Sequence, residues 1–220
     1  MRSVLVTGFE AFGGHEDNPS ALVAGALDGR VIGGARIAGR TLPVDLARLD
    51  DALAAVLAET DPGAVLAFGL AGTEAVIRLE RVALNVADFA IPDNAGALHR
   101  NRPLEPGGPA ARFSRLPLEA ILDAILAAGI PARLSQSAGL YLCNAAMYRL
   151  LGRLPPELPC GFIHLPPLPG QIARRLRRED GRPAEHGAGL ASMPLDLQIR
   201  AAEIAVATTL AGPGYAENLF

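Results

Sequence analysis

The chain reads as an α/β domain. Three observations predict this. Short β-like apolar runs alternate with longer amphipathic segments along the whole length, 220 residues can bury one generous core, and half of them are hydrophobic against a fifth charged. A mean hydropathy of +0.26 fits a packed globule rather than a disordered chain. No repeat or linker divides it, so one domain is expected over residues 1–210, followed by a tail, 211–220, that lacks periodicity.

The elements follow in order. Strands are expected over 3–7, 35–42, 64–68, 76–86, 132–136 and 161–165, and helices over 20–27, 44–59, 117–128, 144–153 and 194–210. Asp61-Pro62-Gly63 stops the second helix, and Gly129 followed by Pro131 stops the third. Ser192 can cap the last helix, with Pro194 tolerated in its first turn. Two stretches read as loops. Residues 91–109 hold Pro-Asp-Asn, Asn-Arg-Pro and Pro-Gly-Gly, and residues 176–191 mix an arginine cluster with glycines.

Composition excludes several chemistries. All twenty basic residues are arginine, so a Schiff-base lysine, a pyridoxal phosphate enzyme and a Walker phosphate loop are impossible. No GxGxxG follows a predicted strand. The net charge of −3 offers no basic face for nucleic acid, and Arg174-Arg175 with Arg177-Arg178 is answered at once by Glu179-Asp180. No apolar run approaches a membrane span, and the N-terminus lacks the features of a signal peptide. The histidines (His15, His99, His164, His186) show no metal-ligand spacing, and all but His164 sit in polar, loop-like surroundings that predict solvent exposure. No metal or cofactor is expected. Two cysteines, Cys143 and Cys160, cannot build a disulfide scaffold, which points to free thiols in a reducing cytoplasm.

Chemistry then concentrates on few residues. Cys143 falls between a predicted strand and a predicted helix, where a helix N-terminus favours thiolate. Cys160 reads as a small buried hydrophobe at the start of a strand. His164 ends the apolar strand Gly161-Phe162-Ile163-His164, at the edge where ligand sites of open α/β sheets gather, although a satisfied core histidine is the plainer account. Glu80 interrupts an apolar run, and by alternation Arg78, Glu80 and Val82 share one strand face. Glu80 is either salt-bridged to a neighbouring arginine or the carboxylate that orients a catalytic imidazole.

Four blocks in order carry a family resemblance. Val4-Leu-Val-Thr-Gly-Phe-Glu-Ala-Phe-Gly-Gly with Asn18-Pro19-Ser20, then Glu80-Arg-Val-Ala-Leu-Asn85 with Ile91-Pro-Asp-Asn-Ala-Gly96, then Ser137-Ala-Gly-Leu-Tyr-Leu-Cys143-Asn, and finally Phe162-Ile-His164-Leu-Pro resemble the type I pyroglutamyl peptidases. The resemblance implies a single catalytic domain, a three-layer α/β/α sandwich with a twisted mixed sheet similar to the phosphorylase/hydrolase-like fold. It also implies a Cys143, His164 and Glu80 triad that needs no cofactor, peptides with N-terminal pyroglutamate as substrates, and a homo-oligomer, dimer or tetramer. Phe9, Phe12, Ile91, Tyr141 and Leu142 would surround the pyroglutamyl ring, Gly69 and Leu70 would belong to the same pocket, and Asn18 would brace the loop over residues 9–14.

Leu70 stands where many members carry glutamine, Ala90 where many carry arginine, and the Gly72-Thr73-Glu74 turn lacks an arginine often found there. These departures bear on affinity, rate or loop order rather than on reaction type. Two rival readings remain: a nucleoside phosphorylase-like relative, for which no phosphate site is evident, and a silent binder of pyroglutamyl peptides, against which the three intact residues argue.

Overall fold

The computed structural model describes residues 3–72, 74–176 and 191–212. In chain order the elements are β1 (Ser3–Phe9), α1 (Pro19–Leu27), β2 (Val31–Ile32), β3 (Ala35–Leu42), α2 (Leu46–Thr60), β4 (Pro62–Leu70), β5 (Ile77–Glu80), β6 (Val82–Leu84), β7 (Ala111–Phe113), α3 (Leu118–Ala127), β8 (Ala132–Ser135), α4 (Leu142–Arg153), β9 (Cys160–Leu165), α5 (Pro169–Arg175) and α6 (Leu195–Ala211).

Seven strands form one sheet in the order β2-β3-β1-β4-β9-β5-β8, and β6 pairs with β7 in a separate ribbon. β3, β1, β4 and β9 run parallel, while β5 is antiparallel to β9 and parallel to β8, so the sheet is mixed. Alternation along the central strands feeds two cores. Val4, Val6, Leu66, Phe68, Ile163 and Leu165 pack under α1, α3 and α6, whereas Leu5, Val65, Ala67 and Phe162 pack under α2 and α4. The result is a helix–sheet–helix sandwich, as expected. β4 is buried along all nine residues, the reading of a strand covered on both faces.

Differences from the sequence reading have local causes. The expected strand over 76–86 breaks at Arg81: β5 stays in the main sheet, while Val82 moves to the ribbon and pairs with Phe113. Val82 therefore does not extend the face that carries Arg78 and Glu80. The short elements β2, β7 and α5 have no periodicity long enough to read. α6 starts after Pro194 without any side-chain cap, so Ser192 does not cap it; the Gln198 amide instead donates to the Met193 and Pro166 carbonyls. Asp61 does terminate α2, in a left-handed conformation at φ 37°.

The 91–109 excursion is cross-braced. Asn85 Nδ2 donates to the Glu105 carbonyl at 2.7 Å while its Oδ1 accepts the Glu105 N–H at 2.8 Å, and Tyr148 Oη donates to the Pro109 carbonyl at 2.8 Å. Most of the second expected loop, with His186, Arg177 and Arg178, lies outside the described residues, as does the tail from 213 onward. Among the described residues no helix is long and apolar enough to cross a membrane.

Candidate active site

Residues from three neighbouring strands come together beside α4. Gly69 near the end of β4 is register-paired with His164 near the end of β9, and Arg78 on β5 lies directly opposite His164. On β5, Ile77 and Leu79 turn toward the core under α3 and α6, which leaves Arg78 and Glu80 on the face covered by α4. Cys143 is the second residue of α4. The sequence reading put it just ahead of the helix; the helix begins at Leu142 because Tyr141 takes the extended N-cap conformation.

Asn144 fixes this helix start. Its Oδ1 accepts the Leu84 N–H at 2.7 Å, and its Nδ2 donates to the carbonyls of Leu84 and Val86, both at 2.9 Å. The buried amide thereby ties the first turn of α4 to β6. No sequence motif identified that brace, because its partners lie about sixty residues away.

Cys143 and His164 line a single cavity of about 640 Å³. His164 Nδ1 lies 2.7 Å from Glu80 Oε1, and both side chains are buried. A carboxylate accepts only, so this bond assigns the proton to Nδ1 and leaves Nε2 as the free ring nitrogen. Arg78 Nε also reaches Glu80 Oε1, at 3.2 Å. Glu80 is therefore both salt-bridged to an arginine and bonded to the imidazole.

Electrostatics differ from the sequence expectation at the thiol. Burial pushes Cys143 up to about 12, Glu80 adds to the rise, and the Arg78 guanidinium and Cys143's own backbone N–H oppose it. Desolvation is the largest influence on the sulfur and opposes the thiolate that the helix start favours. Burial holds His164 below its ordinary value; Glu80 opposes that shift, and Arg78 reinforces it. Burial thus disfavours the charged form of both groups, which suits transfer of the thiol proton during attack.

Gly69 is indispensable to the seat of the sulfur. A Cβ at this position would stand 2.7 Å from Cys143 Sγ and 2.8 Å from the Phe162 ring. The sulfur thus rests directly against the β4 backbone.

Phe12, Leu70, Ile91 and Tyr141 line the cavity beside Cys143. Tyr141 packs on Phe89 with centroids 4.6 Å apart and on Phe12 at 5.8 Å, and its hydroxyl donates to the Pro92 carbonyl at 3.0 Å. Phe9 and Leu142 do not reach the cavity wall: both are buried in the core under α2 and α4, with Phe9 6.5 Å from Phe162. Strand and helix alternation turns them inward. Asn18 also stays off the wall. It caps α1 by accepting the Ser20 N–H at 3.1 Å, and its Nδ2 donates to the Glu10 carbonyl at 3.0 Å, which braces the 9–14 loop.

Sequence reasoning missed Phe89, which supports Tyr141 from beneath, and Asp93. The buried Asp93 carboxylate accepts the N–H groups of Leu46, Ala95 and Ala97 and so ties the 91–97 turn to α2. His15, expected in solvent, lines the cavity half-buried, with Arg175 Nη2 3.0 Å from its Nε2. His99 is likewise partly covered, packed edge-on against Phe89 at 4.9 Å. Cys160 is fully buried, as a small hydrophobe would be. Among the described residues no group of three or more His, Cys, Asp or Glu side chains could hold a metal ion.

A family model described as pyroglutamyl peptidase matches residues 2–211. A pyrrolidone-carboxylate peptidase of Escherichia fergusonii is 44% identical over 216 residues, covering 96% of this chain and 94% of that protein. One from Yersinia pestis is 48% identical over 174 residues, covering 78% and 81%. Among solved structures, the pyrrolidone carboxyl peptidase of Thermococcus litoralis superposes with a TM-score of 0.88 at 39% identity, covering 99% of this chain and 96% of that one. The enzyme from Thermus thermophilus gives 0.83 at 42%, covering 93% and 99%.

Proposed function

This chain belongs to the pyroglutamyl peptidase family, and we propose that it removes N-terminal pyroglutamate from peptides with Cys143 as nucleophile, His164 as proton carrier and Glu80 as the group that orients His164. The observation that carries the residue roles is the 2.7 Å bond from His164 Nδ1 to buried Glu80, which leaves Nε2 free in the cavity that Cys143 also lines.

The reaction runs through an acyl-enzyme. As the Cys143 S–C bond forms to the pyroglutamyl carbonyl, the thiol proton passes to His164 Nε2 and the carbonyl electron pair moves onto oxygen. Collapse breaks the C–N bond, and Nε2 returns the proton to the departing amine. Water then attacks the thioester, giving one proton to Nε2, and the sulfur leaves and recovers it. The first N–H groups of α4 have no helical partner and are suited to the developing oxyanion.

Selectivity follows from the ring. Pyroglutamate is flat and uncharged and lacks the ammonium that other aminopeptidases grip. Phe12, Tyr141, Leu70 and Ile91 supply apolar walls. Leu70 offers no side-chain hydrogen bond, and the Tyr141 hydroxyl already donates to Pro92, so recognition of the lactam falls to backbone groups and to the polar side chains that line the same cavity, among them His15 and Asp88.

The test is a pyroglutamyl amide with a fluorescent leaving group, assayed under reducing conditions beside its prolyl counterpart. Hydrolysis of the first is expected to exceed that of the second by roughly 10⁴-fold, because a site built for the lactam leaves polar groups unpaired with proline. Equal rates on both, or no hydrolysis by the folded protein, would refute the reading. Gly69→Ala is expected to lower kcat by about 10²-fold through displacement of the sulfur; wild-type kcat in a folded variant would remove the argument for its close approach.

A cytoplasmic location suits a nucleophile that must stay reduced, and free Cys143 and Cys160 support it. Assembly as a dimer or tetramer rests on the family resemblance.

A further inference from the structure

Arg78 has a place in this site that a surface ion pair does not explain. The β5–β9 register sets Arg78 opposite His164 and Glu80 opposite Phe162, so guanidinium, carboxylate and imidazole share one face. Arg78 Nε lies 3.2 Å from Glu80 Oε1, and Nη2 lies 3.3 Å from His164 Nδ1. The same Oε1 accepts the Nδ1–H bond, while Oε2 of this fully buried carboxylate has no partner among the described residues. An arginine has no acceptor, so Nη2 cannot bond Nδ1–H. What the contact does is hold a cation against the ring that must become imidazolium.

We propose that Arg78 is a positioning residue for His164: by sharing Glu80 Oε1 it holds the carboxylate in place, and by its charge it opposes protonation of the imidazole. This rests on the reading of His164 as proton carrier. The imidazole then stays a neutral base before attack. Once protonated it is a stronger acid toward the departing amine, which is the second half of its task. The direction agrees with the depressed basicity of His164, in which burial comes first and Arg78 adds to it.

The other charged groups around this face act at longer range. Glu74 approaches Arg78 Nη1 at 4.0 Å and holds Arg133 of β8 through two bonds of 2.8 Å. Cys143 faces the site from α4, and His15, Asp88 and Arg175 line the same cavity. Among the described residues the hydrogen-bond contacts at the His164 ring are those with Glu80 and Arg78.

The experiment is the pH profile of kcat and kcat/KM for the wild type, Arg78→Gln and Arg78→Lys on the pyroglutamyl amide. Loss of the cation raises the imidazole pKa, so the acid limb of Arg78→Gln is expected to move up by about one pH unit. Its kcat should fall about tenfold with KM within about twofold, the pattern of an interaction that matters after binding. Arg78→Lys keeps the charge without the fork. It should return the acid limb to the wild-type position while recovering only part of kcat.

A structural ion pair alone would lower thermal stability and leave the acid limb unmoved. That result in folded Arg78→Gln overturns the proposal. Should Arg78→Gln fail to fold, Arg78→Met keeps the aliphatic stem and carries the same expectation, and an unmoved limb there overturns it equally. Wild-type behaviour separates the two readings: an inactive wild type refutes the reaction, whereas an active one with unmoved variant limbs refutes only the role of Arg78.

Discussion

Replacing Cys143 by alanine is expected to lower kcat by at least about 10⁴-fold, because the other members of such a constellation accomplish little without the nucleophile. Cys160→Ala should retain most turnover, since that sulfur is fully buried in the core under α4 and makes no part of the cavity. The two cysteines also differ in reach: Cys143 is half-buried on the cavity wall, and Cys160 is closed off. Intact-mass analysis after mild iodoacetamide treatment should therefore show a single carbamidomethyl group on the folded protein and none on Cys143→Ala. Labelling is expected to be slow near neutral pH, because burial keeps the Cys143 thiol protonated, with its pKa pushed up to about 12. A folded Cys160→Ala variant without activity, or an active Cys143→Ala variant, would overturn the assignment of the nucleophile.

Glu80→Gln should have the next largest effect, a fall in kcat of about 10²–10⁴-fold with KM little changed. The substitution keeps shape but removes the charge that stabilises imidazolium. If the new amide turns its NH₂ toward Nδ1, it also drives the ring to the tautomer whose Nε2 already carries a proton and cannot take one from Cys143. The Arg78–Glu80 pair, 3.2 Å apart with its carboxylate fully buried, loses its anion in the same step, so stability should fall as well. Thermal unfolding and kcat measured on one preparation separate the two effects. A folded Glu80→Gln enzyme with kcat within about twofold of the wild type would show that the carboxylate does not support the imidazole in catalysis.

Much of this site was legible before any fold was known. Cys143, His164 and Glu80 each stood out because a reactive or charged side chain interrupted an apolar or turn-rich run, and the resemblance set them in one family order. The alternation that put Arg78 beside Glu80 was also readable, but not that His164 lies opposite Arg78, since cross-strand register is absent from a linear pattern. Phe9 and Leu142 show the reverse limit: their motif neighbourhood suggested pocket walls, and side-chain direction sent both into the core. The thiol is the sharpest case. A helix start argued for thiolate, and the burial around Cys143, which only the fold shows, opposes it.

By itself the sequence determined the α/β class, the order of the main strands and helices, the impossibility of lysine chemistry and the three residues on which the reaction is read. The first three are properties of composition, period and local pattern, carried by residues close along the chain; the three reaction residues are what the family resemblance implies. Tertiary structure alone decided the break at Arg81 that sends Val82 to another sheet, the close approach of Gly69 to Cys143, the Asn144 brace and the sharing of Glu80 Oε1 between Arg78 and His164. Each depends on contacts between segments distant in sequence, or on how far water is excluded from a group, and neither is set until the sheet is assembled and α4 has closed over it.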